Sequence, residues 1–346
     1  MINLFLHRAR TAVGALPTVS LPSTARAASA ATLCAALAAC GGSGGGDAPA
    51  DEVARIQAAT ATARSSTNAC AAVQPFYWEI GNGSGALASG SVNQAGNPVT
   101  YTATTTMPIA SASKWLYGGY VAQRRAGVLT AEDTKFLNFR SGYTHFDSCN
   151  PTDTVASCVA RGTNGVYDAA TDNRFNYGGG HMEKHASLMG LDAMNNTTLA
   201  AEIRSQLGTD IALTYTQPQL AGGVNTSASE YARYLRKLLA GQLQMGRLLG
   251  SSSVCTNPLT CSTADATPIP SNESWHYSIG HWVEDDPVVG DGAFSSAGAF
   301  GFYPWIDAGR SYYGVLARNK FMPGEGRESV FCGRLIRKAW ATSTAQ

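Results

Sequence analysis

Strand-like runs stand at both ends of this chain and helix-like runs fill the stretch between them, so a sheet built from it must join opposite ends of the sequence. Pro75-Phe76-Tyr77-Trp78-Glu79-Ile80 is rich in the aromatic and branched residues that favour strands, Gly81-Asn82-Gly83-Ser84-Gly85 reads as a turn, and Ala86 to Val92 completes a hairpin. Near the other end, His276 to Glu284, Gly301 to Asp307 and Ser311 to Ala317 read as strands, with a turn at Ala308-Gly309. Arg327 to Ala341 is predicted to be a helix lying on that sheet. In the middle, Ser111 to Arg125 spaces Trp115, Leu116 and Tyr120 as a helix that buries one face. Ser227 and Glu230 form a capping box ahead of a second helix over residues 231–239. The pattern predicts an α+β fold, an antiparallel sheet flanked by helices. The sheet subdomain comes from 70–110 and 270–346, and an inserted helical subdomain from 111–269.

The first forty residues differ in kind. Arg8, Arg10 and Arg26 occur with no acidic residue, and an Ala/Leu-rich run ends in Leu37-Ala38-Ala39-Cys40-Gly41. The apolar run from Ala27 to Ala39 is short for a membrane span and reads as a secretory signal. It resembles the bacterial lipoprotein signal, in which Cys40 is lipidated and becomes the mature N-terminus; a plain signal cleaved nearby is the alternative. Residues 41–69, rich in Gly, Ala, Ser and Thr, have the composition of a flexible tether to the membrane. Taking the three arginines of 1–40 from the 25 basic residues leaves 22 against 24 acidic, a formal charge of −2. Such a balance offers no electrostatic footprint for nucleic acid.

With Cys34 and Cys40 in the signal, six of eight cysteines remain, an even number suited to an oxidising compartment, the periplasm or the cell exterior. Cys149 with Cys158 and Cys255 with Cys261 are close in sequence around turn-forming residues, and Cys70 with Cys332 would then tie the start of the domain to its end. Six cysteines allow fifteen connectivities, so this pairing is one expectation among them.

Ser111-Ala112-Ser113-Lys114 opens the first strong helix. A serine and a lysine three apart share a helix face, so the amine can lie beside the hydroxyl it must activate. At the helix N-terminus, the backbone N–H of Ser111 also faces a developing oxyanion. A two-letter pattern also arises by chance, with the lysine a solvated helix residue.

The surroundings carry more. Met107 to Lys114, Phe136 to Tyr143, Phe175-Asn176-Tyr177-Gly178-Gly179-Gly180, and Ala221 to Ala228 ahead of a Tyr-Ala-Arg-Tyr-Leu helix occur in the order of four motifs. Over most of residues 75–340 the chain thus resembles the class C β-lactamase, D,D-peptidase and esterase superfamily of penicillin-recognising serine hydrolases. The resemblance implies a β-lactamase/transpeptidase-like fold, Ser111 as nucleophile, Lys114 as its base and Tyr177 as a proton relay whose pKa the Lys114 ammonium lowers. It places Ser296-Ala297-Gly298-Ala299 at the third motif, with the N–H groups of Ser111 and Ala299 as the oxyanion hole. Gly179, Ser296, Gly298 and His181 are the expected substrate-contacting positions. Gly179 stands where lactamases and peptidases have an asparagine, and Ser296 where they have a cationic or imidazole residue. Both departures favour the esterase and short-amide hydrolase branch, acting on a small-molecule ester or amide, over β-lactamase or D,D-peptidase activity; a non-catalytic penicillin-binding-like scaffold is a further alternative.

His181 and His185 are four apart, as zinc ligands on a helix can be, but Glu183 breaks the H-E-x-x-H pattern and no third ligand is evident. They are expected to line or support the pocket, and no metal or other cofactor is expected. Trp275, Trp282 and Trp305 suit either an aromatic wall around an acyl group or the core.

Overall fold

The computed structural model describes residues 50–346; Cys34, Cys40 and the segment expected to be a signal lie outside the described residues. Its largest sheet has strands β1 (Phe76–Gly81), β2 (Ala86–Val92), β3 (Val254–Cys255), β4 (His276–Ser278), β5 (His281–Glu284), β6 (Ala293–Ser295), β7 (Tyr303–Ile306) and β8 (Tyr313–Ala317). Their spatial order is β2-β1-β8-β7-β6-β5-β4-β3, antiparallel throughout. The N-terminal hairpin thus docks on the last strand, with Tyr77 opposite Ala317 and Gly81 opposite Tyr313. Every residue of β1, β7 and β8 is buried, as strands covered on both faces must be.

The helices that matter below are α1 (Ala50–Ala63), α2 (Ser113–Arg124), α3 (Gly180–Leu188), α4 (Ala228–Leu239) and α5 (Glu325–Thr342); α4 packs on β1, β7 and β8, α5 on β7 and β8, and α1 on β2. Register separates the two faces. Tyr303 and Trp305 point at α5, where Arg337 donates to the Tyr303 hydroxyl at 2.7 Å and lies over the Trp305 ring. Glu79 and Tyr313 point the other way, to Arg236 of α4. The α5 side is locked by a buried ionic cluster in which Glu284 accepts from Arg337 at 2.8 Å and from Arg334 at 3.0 Å. Burial pushes the Glu284 carboxyl up, yet the two guanidiniums outweigh it and hold the acid down at about 2.

Three expectations change. The stretch 41–69 is not all tether: residues 50–63 form α1, which packs on α5 through buried Ala59 and Ala63. Its alanine-rich composition, shared with flexible segments, is also that of the best helix former, and small side chains let two helices approach closely. The sheet also reaches back beyond residue 270, because β3 pairs with β4 from inside the predicted helical region. Finally, His276 to Glu284 is two strands, folded at Ile279 and Gly280, both at positive φ. The three expected disulfides, Cys70–Cys332, Cys149–Cys158 and Cys255–Cys261, are formed.

The β4–β5 turn matters to the site because it presses on α2. A Cβ at Gly118 would lie 2.3 Å from the Ile279 carbonyl oxygen, so the helix can sit there only with glycine. Rather than burying one face, α2 is buried on all sides from Ser113 to Ala122, as a central core helix is.

Candidate active site

Ser111 lies in a single 3-10 turn, Ala110–Ala112, that runs into α2. Ala110 just before it has φ +44°, a left-handed conformation that costs a non-glycine residue about 1–3 kcal/mol and that only firm surroundings sustain. Those surroundings are visible. The Ile109 N–H donates to Val224 at 3.0 Å, Tyr231 of α4 donates to the Ala112 carbonyl at 2.8 Å, and Tyr234 donates to that of Trp115 at 2.9 Å. On the other side the Ser296 hydroxyl donates to the Ser111 carbonyl at 3.0 Å. A Cβ on Gly298 would fall 2.1 Å from the Ile109 carbonyl, so this crossing of two backbones needs a glycine.

Lys114 is buried, 5 % exposed, and its Nζ donates to Ser111 Oγ at 2.9 Å and to the Ala221 carbonyl at 2.7 Å. Burial disfavours the ammonium and brings its pKa down to about 7, against an opposing pull from Glu183. A primary amine able to lose its proton near neutrality, in contact with a serine hydroxyl, is a competent base.

Tyr177 follows the short strand Phe175–Asn176 and is held by its N–H, which donates to Ala266 at 3.0 Å. Its ring stacks on Trp282 with centroids 5.0 Å apart, and Lys114 Nζ lies 5.0 Å from the ring centre. The expectation of a lowered pKa is corrected here: burial pushes the phenol up to about 12, outweighing hydrogen bonds from Ser111 and Trp282. At neutral pH Tyr177 is therefore a hydroxyl that can pass a proton on, not a phenolate.

Ser111, Tyr177, Gly298 and Ala299 line one cavity of about 770 Å³. Its remaining walls are largely apolar, with Trp275, Trp282, Phe300, Ile269, Phe321 and Met322 among them. The Phe300 and Phe321 rings meet at a tilt with centroids 4.3 Å apart, and Phe321 and Met322 stand exposed at the mouth. Of the charged residues on the wall, Glu273 is occupied by Trp275 Nε1 at 2.8 Å and Arg334 at 2.9 Å, while Arg327 is more than half exposed.

Three expected substrate-contacting residues do other work. His181 is fully buried: Nδ1 meets the Ser141 hydroxyl at 2.6 Å, Nε2 the Asn176 carbonyl at 3.0 Å, and the ring stacks on Phe139. It braces the segment that carries Tyr177 instead of facing the cavity. His185, considered with it as a zinc ligand, is likewise engaged by Tyr117 and by Asp133. Gly179 packs under the Phe146 ring, where a Cβ would come within 2.9 Å. The Ser296 hydroxyl is committed to Ser111. Trp275 and Trp282 belong to the cavity wall, whereas Trp305 lies under Arg337 in the core. No role was assigned from sequence to Glu183 or the Ala221 carbonyl, and the stack of Trp282 on Tyr177 was not foreseen, because each meets Lys114 or Tyr177 only through the fold.

The sequence matches no protein-family model and no curated protein. Solved structures do resemble it. A penicillin-binding protein homologue from Caulobacter crescentus superposes with a TM-score of 0.58 at 12% identity, covering 86% of this chain and 99% of its own. A D-stereospecific amidohydrolase from Streptomyces gives 0.55 at 12%, covering 82% and 99%. A β-lactamase from Mycobacterium bovis gives 0.53 at 13%, covering 79% and 96%. Likeness over nearly the whole of each neighbour, with an antiparallel sheet closed by both ends of the chain, shows that this protein has the β-lactamase/transpeptidase-like fold.

Proposed function

We propose that the protein is a serine hydrolase that cleaves an ester or amide with an apolar acyl group by two-step acyl transfer. The observation that carries this reading is the 2.9 Å contact between the buried Lys114 amine and the Ser111 hydroxyl, at the floor of an apolar cavity. Neutral Lys114 takes the Ser111 proton as Oγ attacks the carbonyl carbon. The oxyanion is held by the N–H groups of Ser111 and Ala299. The Tyr177 hydroxyl hands a proton to the departing alcohol or amine, refilled from Lys114; water then repeats the sequence on the acyl-enzyme, releasing the acid and restoring Ser111.

Substrate preference follows from the walls. By the family resemblance, β-lactamases and D,D-peptidases hold the substrate's amide side chain from position 179 and its carboxylate from position 296; here 179 is glycine and the Ser296 hydroxyl is bonded to the Ser111 carbonyl. Aromatic and aliphatic walls favour an uncharged acyl group. We also infer that Cys40 carries a lipid anchor that holds the enzyme on a membrane facing the periplasm or cell exterior, a setting that suits its disulfides.

The test compares p-nitrophenyl butyrate with a chromogenic cephalosporin, using the purified full chain and its Ser111→Ala variant. Ester cleavage that vanishes in the variant, with little cephalosporin turnover, is expected. Activity that survives the substitution overturns the assignment of Ser111.

A further inference from the structure

Glu183 of α3 is a fully buried carboxylate that the steps above leave unused. Its oxygens accept the backbone N–H groups of Leu220 and Ala221, each at 3.1 Å. The carbonyl of the same Ala221 accepts from Lys114 Nζ at 2.7 Å. One residue of backbone therefore links the carboxylate to the amine. Four groups face the carboxylate: Lys114 and Tyr117 from α2, Tyr215 from the strand Thr214–Tyr215, and the Cys149–Cys158 disulfide, whose sulfurs lie within 4.8 Å. The Tyr117 hydroxyl is bonded to His185, and that of Tyr215 has no partner among the described residues. Lys114 is the cation of this group. It is also in contact with Ser111 and lies against the Tyr177 ring.

Building on the Ser111–Lys114 assignment, we propose that Glu183 is a positioning residue: it holds the Ala221 carbonyl that aims the Lys114 amine at Ser111, and its charge sets the pH at which that amine becomes a free base. Two forces act on Lys114 in opposite senses. Burial favours the neutral amine, and a carboxylate nearby favours the ammonium. The same burial raises Glu183 to about 7, which brings it into the range where Lys114 itself titrates. The two therefore lose their protons as a coupled pair. Were the carboxylate made neutral, burial alone would act, and Lys114 would give up its proton at lower pH.

The rate at which a fluorophosphonate probe labels Ser111 reads this directly and needs no knowledge of the natural substrate. Ser111 Oγ bonds to phosphorus, fluoride leaves, and the serine proton passes to Lys114. Labelling is followed against pH in the full-length wild type, Glu183→Gln and Glu183→Asp. In Glu183→Gln the acidic limb moves down by about one pH unit or more, because an opposing charge has been removed. Its plateau also falls, because an amide cannot accept both N–H groups. Glu183→Asp keeps the charge on a shorter arm, so its limb stays near the wild-type position while its plateau drops. Superposed limbs for wild type and Glu183→Gln overturn the proposal. If circular dichroism shows Glu183→Gln unfolded, the Asp variant decides: a limb displaced despite the retained charge overturns it. A Ser111 that is unreactive at every pH in the wild type overturns the acyl-transfer assignment together with this inference, and differs from failure of Glu183 alone because no limb exists to shift.

Discussion

At the scale of single residues, the chemistry rests on what burial does to ordinary side chains. Lys114 is brought to about 7, so the proposed mechanism predicts that kcat/KM for an ester rises as pH increases through that value, because below it the amine is protonated and cannot accept the serine proton. A pH–rate profile with its acidic limb between about 6 and 8 is the expected outcome, and a limb near 4 would implicate a carboxylate instead. Lys114→Ala removes the proposed base and is expected to lower kcat by roughly 10²–10⁴-fold. Tyr177→Phe keeps the stack on Trp282 and loses only the hydroxyl, so it lowers kcat by about 10²-fold or more with little change in thermal stability. The Ser-x-x-Lys spacing announces the first two residues. It cannot announce the sign of the Tyr177 shift, since a cation beside a phenol and an apolar wall around it act in opposite senses and their balance depends on neighbours far off in sequence.

Elements carry the positioning. The turn that carries Ser111 is clamped between α4 and the segment after β6, and a single glycine lets the two backbones cross. Gly298→Val places side-chain atoms against the Ile109 carbonyl, so ester hydrolysis should fall by 10²-fold or so, since a displacement of about 1 Å is enough to do this. Helix α5 is held to the sheet by Glu284, Arg334 and Arg337. Because the Glu284 pKa is about 2 in the folded protein against an ordinary 4.5, its contribution is complete above about 4.5 and is lost as pH falls toward 2. Arg337→Met strands part of that buried charge, and urea unfolding at neutral pH should show a loss of about 3–5 kcal/mol. The N-terminal hairpin, the last strands and helices α2, α4 and α5 were legible from side-chain pattern, while α3, β3 and β6 were not. The first helix was not, because alanine and threonine serve a tether and a helix equally until a partner such as α5 is present to bury one face.

For the molecule as a whole, the sheet is closed by strands from opposite ends of the chain, and Cys70–Cys332 staples that closure across 262 residues. In the chain-entropy account such a loop is worth about 5 kcal/mol, against about 2 kcal/mol for the six-residue separation of Cys255 and Cys261. Replacing both members of the long bridge by serine should therefore lower Tm by roughly ten degrees or more, and the same change in the short bridge by clearly less. Equal shifts measured by calorimetry would contradict this account.

What could be read from residue order is local: the runs that make strands, the Ser227 N-cap of α4, the Ser-x-x-Lys face and the pairing of nearby cysteines all depend on neighbours within a few positions, whereas the expected second half of that capping box is missing because the Glu230 carboxylate accepts from the Ala212 N–H instead. The long bridge was legible too, by elimination, once the near pairs were set aside. Folding added everything that depends on burial and on contact across the chain. It turned His181 inward to brace the Tyr177 segment, gave the Ser296 hydroxyl to the Ser111 carbonyl, laid Trp282 under Tyr177 and set Glu183 opposite Lys114. The reason is physical: whether an ionisable or polar group acts on a substrate depends on the dielectric and the partners around it, and those are supplied by segments that sequence spacing does not bring together.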